Sequence, residues 1–473
     1  MRSNWYNKPT RGVVYSAHEA HNLIGQAQLL APQHILPLMF TNLNSLKSKK
    51  IAIIGAGVEG LSSEKFLKEK GAKVTVLDKN QKEDYLEDLD KYDLVVRSPG
   101  VKLEDLEKHV AKEKITSQTK LFFDLNPSKT IGVTGTKGKG TTSTLIYEML
   151  KKQGFDAYLG GNIGKPPFEF LDNLNVHSIS VLELSSFQLL DLHKSPHIAV
   201  VLMITSEHLD YHNSVDEYIT AKRNILKFQT EEDFAVINKD YLVSRESDIE
   251  TNAQVYYVSK EDEAQRGCFI KDNAVYINAF DNIEKVINVS EILLPGEHNL
   301  ENVCAASMAA YLQGVTISNI AHVLRNFKGL EHRLELVAQV NGVKYFDDSF
   351  STTPETAIAA INAFIEPEIL ILGGSSKNSN FEELGKVIKQ ASNIKAIIGI
   401  GEEWEEIKKY LKDLNSEVLV LEGADDMLKI VSGASKLAQP GDVVLLSPAC
   451  ASFGMFKNYK DRGDKFKKEV LSL

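Results

Sequence analysis

The feature that most restricts the fold is an alternation of short apolar runs with helical stretches. Its first instance, "KKIAIIGAGVEGLSSEKFLKEKGAKVTVLD", begins at Lys49 and reads as strand, glycine turn, helix, strand. A helix between two strands returns the chain to the same end of the sheet, so the strands run parallel. "DLVVRSPG" adds a further apolar strand that ends in a tight turn. The pattern restarts near Thr130 with the strand "KTIGVTG" and the helix "KGTTSTLIYEMLKKQG", then "SISVLELS", "HIAVVLMI" and "FAVINK". Short strands and polar turns from Asn252 to Val289 predict an antiparallel patch, and "GEHNLENVCAASMAAYLQG" predicts a capped, largely buried helix. Near Gly329 a third unit opens, with "VKYFDDS", "EILILGG", "KAIIGIG", "SEVLVLE" and "GDVVLLSP" as strands between helical stretches. The expected fold class is α/β in three domains. Residues 49–127 form a Rossmann-like domain, 128–328 a central P-loop ATPase-type α/β domain, and 329–473 a second Rossmann-like domain. Residues 1–48 carry no motif and are read as an N-terminal extension.

Composition narrows the class. With 43% apolar and 25% charged residues in 473, the chain has ordinary globular material for several cores. A net charge of −10 disfavours a protein built to coat nucleic acid or anionic membrane. Cys268, Cys304 and Cys450 are too scattered for a disulfide framework or a zinc site, which suits a reducing compartment. No apolar run approaches the roughly 20 residues of a membrane helix. A cytoplasmic location is expected.

Two glycine turns carry chemistry. In "GAGVEG", Gly55, Gly57 and Gly60 follow a strand and precede a helix, and Asp78 ends the next strand. This is the dinucleotide fingerprint, whose turn cradles a diphosphate. A nicotinamide dinucleotide and a nucleotide-sugar both satisfy it, and close helix–strand packing alone also requires glycines. The second turn, "GVTGTKGKGTT", departs twice from G-x-x-x-x-G-K-[ST]. Val133 stands at the first glycine position and Gly140 follows Lys139. It still joins a strand to a helix start, where backbone N–H groups and Lys139 hold phosphate oxygens. A one-residue shift makes Thr141 the hydroxyl available to magnesium.

Other candidates follow strands at the same sheet edge. Glu183 ends the strand of "LELSSFQL", His208 and Asp210 lie in "TSEHLDYH", and Lys222 lies in "EYITAKRNI". "INKDY" offers Asn238, Lys239 and Asp240, but its Asp comes one residue too early for the guanine-reading N-K-x-D motif.

Taken together, "GTKGKGTT", "GGNIG", "LELSSFQL", "EHLDYH", "AKRNI", "GEHNLENVCAA", "EHRLE", "DDSFSTTPETA", "LGGSSKN" and "LSPACASFGMFKNYKDRGDKF" resemble the Mur ligase family from about Lys49 to the C-terminus. Within it, "LELSSFQL" and the final stretch point to the member that adds D-glutamate. The resemblance implies an amide ligase that uses ATP to turn a carboxylate into an acyl phosphate, which an amine then attacks. It implies UDP-N-acetylmuramoyl-L-alanine and D-glutamate as substrates, a place in peptidoglycan precursor synthesis, a monomer, and neither nucleic-acid binding nor membrane insertion.

The resemblance also implies residue roles. Gly57, Val58, Glu59, Asp78 and Gly100 contact the UDP group with Ser98, and Asn162 orients that substrate. Gly135, Thr136, Lys137, Gly138, Lys139, Gly140 and Thr141 hold ATP with Asn299, Arg333 and Asp348. Thr141, Glu183, His208 and a carbamylated Lys222 hold two magnesium ions. Lys139, His208 and Lys222 carry the catalysis. Thr352, Lys377, Ser452 and Tyr459 grip the amino acid. Gly140, Phe350 and Thr353 depart from the family pattern. Folylpolyglutamate synthases share a G-K-G-[ST] loop and form the alternative, as does another Mur ligase with a different amino acid. A synthase of that kind lacks the preceding nucleotide-sugar domain.

Overall fold

The computed structural model describes residues 43–473 except 82, 206–210 and 377–378. The expectations for residues 1–42, His208, Asp210 and Lys377 lie outside the described residues. Nearly continuous apolar strands, as parallel sheets covered on both faces require, build three sheets.

The first sheet has the order β2-β1-β3-β4, all parallel, from β1 (Lys50–Ile54), β2 (Lys73–Leu77), β3 (Leu94–Arg97) and β4 (Ile115–Ser117). Helix α1 (Val58–Glu69) starts directly after the "GAG" turn. Gly60 lets α1 sit on β1, since a Cβ there would lie 2.0 Å from the Gly55 carbonyl oxygen.

The central sheet holds β5 (Lys129–Thr134), β6 (Ala157–Gly161), β7 (Ile179–Glu183), β8 (Ile198–Val201), β9 (Phe234–Asn238), β10 (Gln254–Ser259), β11 (Gly267–Lys271), β12 (Ala274–Ala279) and β13 (Asn282–Asn288). Their order is β13-β12-β11-β10-β9-β8-β5-β7-β6. The expected antiparallel patch is corrected here. β10 pairs parallel with both β9 and β11, and only β11–β12 and β12–β13 are antiparallel. Tyr256, Val258 and Cys268 join the same core as Val236, so the patch extends the central sheet. Helices α2 (Lys139–Gln153), α3 (Val215–Arg223) and α4 (His298–Leu312) accompany it. α4 is buried along most of its length, as expected, but its N-cap Glu297 makes no side-chain capping bond.

The third sheet runs β14-β15-β19-β16-β17-β18, from β14 (Glu335–Val340), β15 (Val343–Asp347), β16 (Glu368–Gly373), β17 (Ile394–Ile400), β18 (Leu419–Leu421) and β19 (Val443–Leu446). Only the β14–β15 pair is antiparallel. Helix α5 (Tyr459–Val470) closes the chain. The first and central sheets share one apolar cluster, in which Phe66 stacks on Phe168 at 4.3 Å.

Glu368 opens β16 fully buried, and neither carboxyl oxygen has a hydrogen-bond partner among the described residues. Burial pushes its pKa up to about 8. A folded pKa above the ordinary 4.5 means a proton taken up on folding. The stability cost is therefore absent below about pH 4.5 and grows as pH rises towards 8. Glu368→Met is expected to stabilise the protein by about 1 kcal/mol or more at pH 8.5. Melts at pH 8.5 and 5.5 check this, and the gain should shrink at the lower pH.

Candidate active site

The loop between β5 and α2 is set by backbone geometry. Gly135 (φ +152°) and Gly138 (φ +84°) adopt conformations that side chains rarely tolerate. A Cβ on Gly138 would also lie 2.1 Å from Asn302 Oδ1. Thr136 clamps the loop to the segment after β8. Its N–H donates to the Met203 carbonyl (2.7 Å), and its hydroxyl donates to the Thr205 carbonyl (3.1 Å) and accepts from the Thr205 N–H (2.9 Å). The Tyr218 hydroxyl lies 3.0 Å from the same oxygen.

Two lysines converge on this loop. Lys139 Nζ donates to the carbonyls of Gly135 (3.0 Å) and Thr136 (3.1 Å). Buried Lys222 reaches over from α3 and donates to the same Gly135 carbonyl at 2.8 Å, 4.6 Å above the Tyr218 ring. α4 braces the other side. Thr142 donates to Asn302 Oδ1 (3.3 Å), Asn302 donates to Asn299 Oδ1 (2.9 Å), and Asn299 donates to the Pro295 carbonyl (2.6 Å). Glu183 ends β7 facing α2. Asn162 holds it through a backbone bond to its carbonyl (2.9 Å) and a side-chain bond to Oε1 (2.8 Å). Oε2 turns toward Gly140, 3.2 Å from where a Cβ would stand.

The third sheet contributes the loops around β14 and β15. The Arg333 guanidinium sits 3.8 Å over the Phe350 ring, so this departure from the family pattern supplies a cation–π face. Burial lowers the Arg333 pKa, opposed by the charges of Glu183 and Asp348. Asp348 is buried and accepts from Ser351, from Ser447 Oγ (2.7 Å) and from the Leu334 N–H (3.2 Å). Burial outweighs these bonds and pushes its pKa up to about 7. Tyr459 meets the Phe350 ring edge-on at 5.1 Å, and its carbonyl accepts from Ser349 Oγ at 2.7 Å. Ser452 is buried after β19, Thr352 follows Ser351 on the β15 loop, and Thr353 caps the next helix with Thr356.

At the first sheet, Gly57 and Gly100 have nothing within 4 Å of an added Cβ. The fold does not demand glycine at either position, which leaves open space beside the turn. Val58 is 76% exposed at the start of α1. Asp78 accepts from the Ala56 N–H (2.7 Å) and the Asn80 N–H (2.9 Å), which hold its carboxyl below the usual range. Ser98 donates to the Gly55 carbonyl at 3.2 Å. Glu59 Oε2 accepts from Gln188 Nε2 (3.2 Å), and burial pushes its pKa up to about 7. Asn238, the discounted guanine-motif residue, is tied to Glu301 at 3.0 Å.

The structure therefore gathers Gly135–Gly140, Lys139, Lys222, Asn162, Glu183 and Asn299 at one edge of the central sheet, with Arg333 and Asp348 near. Gly57, Val58, Asp78 and Gly100 lie on the first sheet. Sequence reasoning missed two buried arginines. Arg97 donates to the Val101 carbonyl (3.0 Å), the Phe187 carbonyl (3.0 Å), the Tyr211 hydroxyl (3.2 Å) and Asp191 Oδ1 (3.2 Å), joining the first sheet to the central one. Arg462 donates to Ser349 Oγ (2.9 Å), the Ser349 carbonyl (2.9 Å) and the Cys450 carbonyl (3.2 Å), fixing the "LSPACAS" turn against the β15 loop. A charge closing the apolar run "LVVR" was the signal for Arg97, and Arg462 lies within the quoted "LSPACASFGMFKNYKDRGDKF" without a role assigned to it.

Comparison with known proteins agrees with this geometry. The Mur ligase middle domain matches residues 133–310, and the Mur ligase glutamate ligase domain matches residues 332–450. A UDP-N-acetylmuramoylalanine–D-glutamate ligase of Acetivibrio thermocellus is 37% identical over 467 residues, covering 92% of this chain and 100% of the relative. The enzyme of the same name from Clostridium tetani is 37% identical over 453 residues, covering 90% and 97%. Among solved structures, the MurF ligase of Thermotoga maritima in complex with ADP superposes with a TM-score of 0.55 at 18% identity, covering 93% of this chain and all of that one. The UDP-N-acetylmuramate–alanine ligase of the same organism gives 0.56 at 15%, covering 90% and 99%. These two likenesses concern the fold. The chain belongs to the Mur ligase family.

Arg97→Ala is expected to destabilise the protein by about 3 kcal/mol, because Asp191 and two carbonyls lose a buried partner. Urea unfolding of both proteins checks this.

Proposed function

We propose that the protein is an ATP-dependent ligase that joins D-glutamate to UDP-N-acetylmuramoyl-L-alanine through an acyl phosphate. The observation that carries this reading is the meeting of Lys139 and Lys222 on one carbonyl of a phosphate-type loop, with Glu183 across from them. Its relatives of the same name, matched over nine-tenths of the chain, support the choice of substrates.

In this reading the chain divides at about residues 128 and 329 into UDP-substrate, ATP and amino-acid domains. The open space at Gly57 and Gly100 takes the diphosphate, beside Val58, Glu59, Asp78 and Ser98. Residues 135–141 cradle the ATP phosphates on the N-terminus of α2, with Asn299, Arg333 and Asp348. Lys139 leaves its loop carbonyls to balance the γ-phosphate charge as the substrate carboxylate approaches. Asn162 fixes the Glu183 carboxylate and points it to the same space. Thr352, Lys377, Ser452 and Tyr459 receive D-glutamate, and Arg462 holds their loops in register. ATP use and the absence of any membrane-crossing helix among the described residues suit the cytoplasm.

The donor set fits magnesium, since Glu183 offers an oriented carboxylate oxygen and Thr141 a hydroxyl beside the phosphate loop. His208 and a carbamylated Lys222 complete the proposed ligands. When bound, the metal neutralises the phosphate and carboxylate charge that otherwise repel. Carbamylation has a physical motive here. An unmodified Lys222 ammonium beside magnesium would be repelled by it. Converting the Lys222 amine to a carbamate turns that repulsion into attraction.

Phosphate release tests the reaction. With ATP, magnesium and the UDP-muramoyl-alanine precursor, D-glutamate should support turnover; L-lysine, meso-diaminopimelate and a tetrahydrofolate acceptor should not. Lys139→Ala is expected to lower kcat by about 100-fold or more, and unchanged release would remove its assigned role. Lys222→Ala should be inactive and partly recover in added short-chain carboxylic acid, read in the same assay.

A further inference from the structure

Lys139 is followed by glycine at the position where nucleotide loops of this pattern place a Ser or Thr hydroxyl for magnesium. Gly140 is the second residue of α2 and buried, and its helical backbone makes no demand for glycine. A Cβ built there meets Ile163 Cδ1 at 3.1 Å, Glu183 Oε2 at 3.2 Å and Leu330 Cδ1 at 3.2 Å. All three are ends of flexible side chains, so a small side chain is sterically admissible with shifts of a few tenths of an ångström. The one oxygen among them places a Cβ at position 140 beside the Glu183 carboxylate. Asn162 already engages the other oxygen of that carboxylate.

We infer that position 140 determines metal affinity in this chain. Glu183 would hold the metal with the Thr141 hydroxyl, and Gly140 adds no oxygen beside them. Gly140 thereby gives the metal one protein oxygen fewer than a serine at the same position would. The inference rests on the magnesium–ATP reading above. It predicts that an oxygen restored at position 140 tightens the metal, whereas a bare methyl does not.

The test uses full-length protein and calorimetric ADP titrations at a series of magnesium concentrations. The readout is the magnesium concentration giving half of the maximal gain in ADP affinity. Gly140→Ser is expected to lower this concentration roughly three- to ten-fold, and Gly140→Ala to leave it unchanged or raise it. A serine variant that matches wild type or the alanine variant overturns the inference while the nucleotide reading stands. Absence of ADP binding by the wild type overturns both. Should Gly140→Ser fail to fold, Gly140→Thr is the second variant: the same lowering of the magnesium concentration is expected, and an unshifted value overturns the inference.

Discussion

The Gly135 carbonyl is the point on which the site turns. It receives Lys139 from its own helix and Lys222 from α3, so two ammonium groups are brought to one oxygen. Like charges tolerate such confinement only where something else offsets their repulsion. Thr136 and Tyr218 fix the loop, Asn302 and Asn299 brace it from α4, and Asn162 sets Glu183 opposite. The loop is thus held from α3, from α4 and from the segment after β8.

Two buried guanidiniums do the corresponding work between elements. Arg97 and Arg462 each spread several planar donors over carbonyls that no regular ladder satisfies. Burial pulls the Arg462 pKa down to about 10, still far above neutrality, so its charge persists. Asp348 and Glu59 differ: burial raises each carboxyl pKa to about 7 against the hydrogen bonds that oppose it.

Much of this was legible in the sequence because it is written in local pattern. Apolar runs closed by glycine turns define β1–α1–β2 and β5–α2, and contiguous motifs mark Lys139, Glu183 and Lys222. What escaped was decided at long range. β6 and β14 are edge strands with glycine or polar residues, so their sequences lack the apolar run that marked β5 and β7. The parallel pairing of β10 with β9 and β11 depends on which core Tyr256 and Val258 join. The partners of Arg97 lie up to 114 positions away. Asn162 illustrates what a motif leaves out: the resemblance implied that it orients substrate, and the structure adds that its amide holds Glu183.

The apolar clusters also differ in where they stop. One of them runs without interruption from the first sheet into the central one, through Ile51, Phe66, Leu182 and Val201. Those of the third sheet contain only residues from Leu334 onward. Apolar contact thus joins the first two sheets, while the clusters of the third sheet stop short of them among the described residues. Separating the first sheet from the central one would wet that shared greasy surface, so the two are expected to melt as a unit.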